Sequence, residues 1–176
     1  MNDHGVVPEA GTVRFQRVLP GTIERVWAYL TEPELRGRWL ASGLMELHVG
    51  GRVVLQFLHS SLSPHVEPTP ARFKHFENGC SLEGRVTRCE PPRLLAYTWG
   101  GDSEVTFELT PREVDVVLVL THRRLGQGDM VSVASGWHTH LGILGDRLRG
   151  TEPAGFWSTH ARMEAEYQER LSGPLM

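Results

Sequence analysis

Residues 81–109, SLEGRVTRCEPPRLLAYTWGGDSEVTFEL, decide how the rest of the chain is arranged. Three apolar-rich runs lie in this stretch, at residues 82–89, 94–99 and 105–109. The links between them read EPPR and GGD, which are residue types that tight turns use. Links this short indicate connections between antiparallel strands. The stretch therefore predicts three consecutive strands of one antiparallel sheet.

Bulky apolar side chains share one face of these strands. Val105 and Phe107 alternate with polar neighbours, which is the period of two expected for a half-buried strand. In the preceding run Leu95, Tyr97 and Trp99 fall on a single face. We therefore expect a curved sheet whose inner face is lined by large apolar groups.

The segments on either side of this stretch complete an α+β chain. Their patterns predict a strand at 12–19, two short helices between residues 22 and 43, strands near 44–49, 53–57 and 114–121, a long helix at 130–149 and a helical period over 154–171. The sheet then has about six to seven strands. Its apolar face needs a cover, and the long helix carries a Trp–Leu stripe suited to that purpose.

The chain divides into one domain and two flanking segments. We expect a flexible lead at 1–11, the domain at 12–150 and a C-terminal helical extension at 151–176. Within the domain, residues 59–79 hold several prolines and show no sustained hydrophobic period. Loops of this length in compact domains tend to be lids or binding loops, and a disordered insertion is the alternative. The first reading predicts a partial lid.

Composition excludes several classes of protein. Of 176 residues 40% are hydrophobic and 22% charged, and the formal net charge is −3. Such a balance gives no basic field for nucleic acid, so no nucleic-acid partner is expected. No apolar run is long enough to span a bilayer and no secretory signal is visible, so we expect a cytoplasmic protein without membrane insertion. Its two cysteines are expected to be free thiols.

The order of elements resembles the helix-grip fold of the START-like (SRPBCC) superfamily. At closer range it is similar to the branch of the activator of heat-shock-protein-90 ATPase homologues. The motifs that carry the resemblance lie at residues 20–27, Trp39, 50–52, 84–86, 90–94, 97–99, 105–109 and 136–137. Together they cover about residues 12–150. The resemblance implies this fold and a choice of roles, since its members include carriers of lipids and hormones, polyketide cyclases and chaperone co-regulators.

A curved sheet gripped by one long helix tends to leave an apolar cavity, and such cavities are typical ligand sites. We therefore expect a small hydrophobic molecule to bind between sheet and helix, with Trp99 and Trp137 as walls. The full set of expected lining residues is Trp39, Phe57, Val86, Tyr97, Trp99, Phe107, Leu118, Trp137, His140, Leu141 and Leu144. The alternative for any one aromatic residue of this set is plain core packing.

Acid–base groups near the expected cavity mouth are His59, Glu46, Arg88 and His140, and each fits a solvated rim residue better than a catalyst. No metal site, catalytic residue or cofactor is expected. The sequence favours a binding protein over an enzyme, as a monomer or homodimer. Two alternatives stay open: a polyketide cyclase or dehydratase with His140 or Glu46 as general base, and a co-regulator that binds the heat-shock-protein-90 chaperone.

Three glycines inside the long helix need an explanation. Gly136, Gly142 and Gly145 each cost about 1 kcal/mol of helix stability relative to alanine. On a helical wheel Gly142 and Gly145 lie together, off the apolar stripe. We expect another backbone, such as that of the C-terminal segment, to approach closely there.

Overall fold

The computed structural model describes residues 3–171 and is built on one antiparallel sheet. Its strands are β1 (Val6–Glu9), β2 (Thr12–Pro20), β3 (Arg52–Phe57), β4 (Cys80–Glu90), β5 (Leu94–Thr98), β6 (Glu104–Arg112) and β7 (Asp115–Arg123). Their order across the sheet is β1-β2-β7-β6-β5-β4-β3. Residues 81–109 thus supply three neighbouring strands, as their turns and alternation predict.

Helices follow the second strand and close the chain. They are α1 (Ile23–Thr31), α2 (Pro33–Arg36), α3 (Met130–Arg149) and α4 (Phe156–Leu171), with short 3-10 turns at His59–Ser61 and Ala71–Phe76. The long helix α3 packs on β2 and on α4. The predicted helix-grip fold is confirmed, with seven strands, one long helix and two short helices after the first long strand. No helix within residues 3–171 is long and apolar enough to cross a membrane.

The core fills the space between the sheet and α3. Trp39, Tyr97 and Phe107 are each at most 1% exposed, and Leu144 of α3 is fully buried. The indole of Trp137 meets the ring of Phe107 edge-on, with 5.8 Å between the ring centroids. Most of the helix–sheet interior is therefore closely packed.

Residues 6–9 form an edge strand, so the expected flexible lead over 1–11 is wrong for this part. All four residues of β1 are exposed, and an edge strand exposed throughout shows no apolar alternation to reveal it. The chain before β1 is held by a hydrogen bond, 2.7 Å long, from the Gly5 amide to the Tyr167 hydroxyl. Residues 1 and 2 lie outside the described part of the chain.

The expected strand at 44–49 is not formed, and only isolated bridges at Ser42 and Met45 connect this segment to β3. Hydrogen bonds between near neighbours provide the reason, since the His48 N–H donates to the Glu46 carbonyl and the Gly51 N–H donates to the His48 carbonyl. The chain therefore turns at residues 46–51 instead of extending as a strand. Just before this segment, the guanidinium of buried Arg36 donates to the main-chain oxygens of Thr31, Ala41 and Gly43.

Candidate functional site

A pocket of about 200 Å³ lies where the N-terminal half of α3 meets α4 and the 59–79 loop. Aromatic and histidine side chains make most of its wall. The lining residues are Leu40, His59, Phe73, Phe76, Trp99, Ser132, Val133, Gly136, Trp137, His140, Phe156, Trp157 and His160. The pocket is therefore concave and largely apolar, with a few polar groups, which is the usual character of a small-molecule site.

Two tryptophans form the wall of the pocket nearest the sheet. The rings of Trp99 and Trp137 are 5.0 Å apart between centroids. Trp137 donates its indole N–H to Nδ1 of His122 at 2.9 Å. Because Nδ1 accepts this bond, neutral His122 carries its proton on Nε2, which lies 3.0 Å from the Ser103 hydroxyl.

Burial keeps His122 neutral, because desolvation lowers its pKa to about 4. The hydroxyl of Ser103 in turn donates to the carbonyl of Trp99 at 3.3 Å. One chain of hydrogen bonds therefore holds both pocket tryptophans. It runs from α3 through β7 to the turn before β6.

His140 projects from α3 into the same pocket and is 7% exposed. Its Nδ1 lies 2.8 Å from the main-chain oxygen of Trp39, so Nδ1 carries the proton and donates. Burial lowers the pKa of His140 to about 3, against the opposing effect of that hydrogen bond. The ring is therefore neutral near pH 7, and its Nε2 is a hydrogen-bond acceptor.

The 59–79 loop closes one side of the pocket through aromatic contacts with α4. Phe73 stacks on Trp157 at 5.1 Å between ring centroids. His59 lies 4.6 Å from Phe156 and 5.0 Å from Trp157 by the same measure. Desolvation lowers the pKa of His59 to about 4, and its buried Nδ1 has no hydrogen-bond partner within residues 3–171. A lid role for this loop stays a prediction.

The first two turns of α4 form the facing wall. His160 has a pKa lowered by burial, and its Nδ1 lies 3.4 Å from the carboxylate of Glu164. That carboxylate also accepts a hydrogen bond from Arg72 of the 59–79 loop. The C-terminal extension therefore contributes directly to the pocket and is tied to the loop.

Gly136 gives the pocket room. A methyl group placed on its Cα would meet no heavy atom within 4 Å, and Gly142 is equally open. At Gly145 the neighbour is the side chain of Arg149. The expected close approach of another backbone at Gly142 and Gly145 is therefore wrong. Gly136 opens instead into the pocket, and Gly142 opens into a groove between α3 and α4.

Three of the expected lining residues, Trp99, Trp137 and His140, do line the pocket. The others are buried without lining it. These residues are Trp39, Phe57, Val86, Tyr97, Phe107, Leu118, Leu141 and Leu144. The cavity was expected in the helix–sheet interior, and it lies instead at the junction of α3, α4 and the loop.

Of the remaining acid–base candidates, His59 lines the pocket while Glu46 and Arg88 lie on the surface. Glu46 accepts a hydrogen bond from the amide of Arg52, and Arg88 lies 3.6 Å from Glu90. Sequence reasoning missed the aromatic residues of the loop and of α4 as lining residues. The signal for them was their clustering, RFKHF in the loop and FW at the start of the last helical period.

Within residues 3–171 no three His, Cys, Asp or Glu side chains come together as a metal site. Burial lowers the pKa values of the pocket histidines His59, His140 and His160, so each is neutral near pH 7.

Residues 20–149 match the family model described as activator of Hsp90 ATPase homolog 1-like protein. The chain belongs to this family. The family match ends at the last residue of α3, so α4 lies beyond it. No curated protein matches the chain.

Solved structures extend the comparison beyond the family domain. The solution NMR structure of a protein encoded by gene BPP1335 from Bordetella parapertussis is 43% identical, with a TM-score of 0.81. That match covers 96% of this chain and 91% of the other, so it extends past the family model.

More distant neighbours share the fold alone. CalU16 from Micromonospora echinospora is 23% identical with a TM-score of 0.65, over 90% of this chain and 84% of its own. A protein from Enterococcus faecalis, EF2215, is 18% identical with a TM-score of 0.67, over 93% and 87%. These two likenesses concern the fold, and the family assignment rests on the match over residues 20–149.

Proposed function

We propose that the protein binds a small hydrophobic ligand in the pocket between α3, α4 and the 59–79 loop. The observation that carries the proposal is Gly136. This residue weakens α3 by about 1 kcal/mol relative to alanine, and no neighbouring atom requires its small size. A glycine inside a helix lowers the stability of the helix. At the wall of an aromatic pocket this loss is expected where the space that the glycine leaves serves to bind a ligand.

The size of the pocket sets the expected affinity. A ligand that buries about 200 Å² of apolar surface gains roughly 5 kcal/mol before association costs. Contacts with aromatic walls add to this gain, and ordering of the ligand subtracts from it. We therefore expect dissociation constants in the micromolar to millimolar range.

Bromobenzene tests the proposal, because its bromine quenches the fluorescence of nearby tryptophans such as Trp99 and Trp137. The wild-type protein should show saturable quenching. Gly136→Leu should lose it, because the new side chain occupies the pocket. Gly142→Leu is the matched control, since it sits on the same helix with equally open space but outside this pocket. Quenching that never saturates, or that both variants lose equally, would contradict the proposal.

An enzymatic role is the second candidate function, and one structural neighbour supports it. DynU16, described as a protein in the dynemicin biosynthetic locus, shares the fold at 19% identity and a TM-score of 0.61. A cyclase or dehydratase needs a base, and Nε2 of His140 is the accepting nitrogen in this pocket. Its pKa of about 3 makes it a weak base at neutral pH, which favours binding over catalysis. The chaperone partner, a homodimer and a cytoplasmic location stay predictions from the sequence.

A further inference from the structure

We infer that the ligand is a neutral aromatic compound of one or two fused rings whose hydroxyl group donates a hydrogen bond to Nε2 of His140. This inference rests on the proposed function and names the ligand class. Three features of the pocket carry it: its size, the orientation of His140 and the distribution of charge around it.

The size of the pocket suits a small ring system. A buried cavity of about 150 Å³ is known to hold benzene, so about 200 Å³ admits one ring or two fused rings. The walls favour a planar ring. Trp99, Trp137 and Phe156 offer flat faces and edges, against which aromatic ligands pack in stacked or edge-on geometry.

His140 provides a fixed hydrogen-bond acceptor. Its Nδ1–H is committed to the carbonyl of Trp39, which fixes the tautomer and leaves the lone pair on Nε2. Within residues 3–171, Nε2 has no hydrogen-bond partner and is not among the fully enclosed polar atoms. A ligand without a donor would cover this nitrogen and leave it unpaired, which is unfavourable. A hydroxyl group pairs with it directly.

His59 is a second histidine of the pocket wall and lies beside His140. It lines the same pocket, and its ring centroid is 6.1 Å from that of His140. Its Nδ1 is the one enclosed side-chain nitrogen or oxygen without a partner in the described part of the chain. Because that nitrogen is enclosed, a ligand does not reach it, and Nε2 of His140 is the imidazole acceptor that a ligand hydroxyl would meet.

Charge in and around the pocket selects against an anion. Among the described residues no lysine or arginine lines the pocket, and the lining histidines are neutral at pH 7 because burial lowers their pKa values. The nearby Arg72 already pairs with Glu164. A ligand carboxylate would lose its hydration without gaining a free cation, and burial of an unpaired charge is strongly unfavourable.

Three matched probes test the inference: 4-bromophenol, bromobenzene and 4-bromobenzoate. Titrated at pH 7 by tryptophan quenching, the wild type should bind 4-bromophenol about five- to tenfold more tightly than bromobenzene, the value of one hydrogen bond. 4-Bromobenzoate should bind more weakly than either. His140→Leu should bind bromobenzene and 4-bromophenol equally. His138→Leu, on the opposite side of α3, should keep the wild-type preference.

A second measurement uses the wild type alone and replaces the variant if His140→Leu folds poorly. In ¹⁵N NMR of the wild type, 4-bromophenol should shift the Nε2 resonance of His140, and bromobenzene should shift it far less. Equal affinities for the phenol and bromobenzene, or tightest binding of the benzoate, would overturn the inference while the proposed function stands. Failure of all three probes to bind would overturn the proposed function itself.

Discussion

Single hydrogen bonds position the pocket tryptophans. The indole of Trp137 would otherwise bury an unpaired N–H beside apolar rings, and Nδ1 of His122 accepts its hydrogen bond. His122 is itself fully buried and completes the chain to Ser103. Its role is therefore to orient one wall of the pocket.

Replacing His122 with leucine should lower the free energy of unfolding by about 1–3 kcal/mol, because it leaves the Trp137 N–H buried and unpaired. Trp137→Phe removes that donor, so the double variant should lose less than the sum of the two single variants. Urea denaturation of all four proteins measures this cycle. Strict additivity would show that the 2.9 Å contact contributes nothing.

Buried histidines also set the response to pH. His122 and His140 have folded-state pKa values of about 4 and about 3, below the value of about 6.5 in the unfolded chain. The unfolded state therefore binds more protons as the pH falls below 6.5. Their contribution to stability is fully present above that pH and is lost progressively toward pH 4.

From pH 7 to pH 5 these two groups should together reduce the free energy of unfolding by roughly 3–4 kcal/mol. Urea denaturation across this range measures the change. The variant His122→Gln should show a shallower dependence, because one titrating group is gone. A free energy of unfolding that stays constant between pH 7 and pH 5 would contradict the assigned neutral state.

At the scale of elements, α4 is part of the packed structure and holds the N-terminal segment in place. Tyr167 of α4 is fully buried. Its hydroxyl accepts the amide hydrogen of Gly5 at 2.7 Å and lies 2.8 Å from Nδ1 of His138 on α3. One side chain therefore joins α3, α4 and the segment that leads into β1.

Tyr167→Phe should lower the free energy of unfolding by about 1–2 kcal/mol, because it leaves the Gly5 amide and His138 without this partner. The Gly5 amide should also exchange its hydrogen faster, since its protection depends on that one bond. Hydrogen-exchange NMR provides the measurement. Unchanged exchange at Gly5 would mean that the N-terminal segment is held by other contacts.

Arg36 organises the turn between α2 and β3. Arg36→Met should lower the free energy of unfolding by about 3 kcal/mol or more, because three carbonyl groups lose their donor and two of these hydrogen bonds are buried. Arg38→Met is the control, since Arg38 is exposed and should change stability far less. Thermal or chemical denaturation compares the two. Equal small effects would show that the enclosed charge is not structural.

Local patterns predicted most elements because their signals are complete within a few residues. The three strands of residues 81–109 have turn residues and alternation of their own, and α3 has a continuous apolar stripe. The segment 44–49 also alternates, but hydrogen bonds between near neighbours turn the chain at residues 46–51. Edge strand β1 offers no alternation at all.

The candidate site was harder to predict because its walls come from distant parts of the sequence. Trp137 and His140 follow from the helix stripe and its flank. His59 and Phe73, in contrast, lie in a segment without a period and meet Phe156 and Trp157 of α4. No spacing rule links residues that far apart, so only the folded structure places them together.

Across the whole molecule, the helix–sheet interior is filled and open space lies at its margins. Gly136 borders the pocket, and Gly142 borders the groove between α3 and α4. Either residue replaced by alanine should stabilise α3 by about 0.5–1 kcal/mol, since neither new methyl group meets a neighbour. Thermal denaturation checks both variants. A loss of stability in Gly136→Ala would show that the space there is not open.

The position of a bound ring shows whether the pocket between α3, α4 and the 59–79 loop is the ligand site. Crystals soaked with 4-bromophenol allow the bromine to be located by anomalous scattering. We expect one ordered bromine between Trp99, Trp137 and Gly136, with the phenol oxygen within hydrogen-bond distance of Nε2 of His140. Bromine in the groove beside Gly142, or no ordered bromine at saturating concentration, would contradict this expectation.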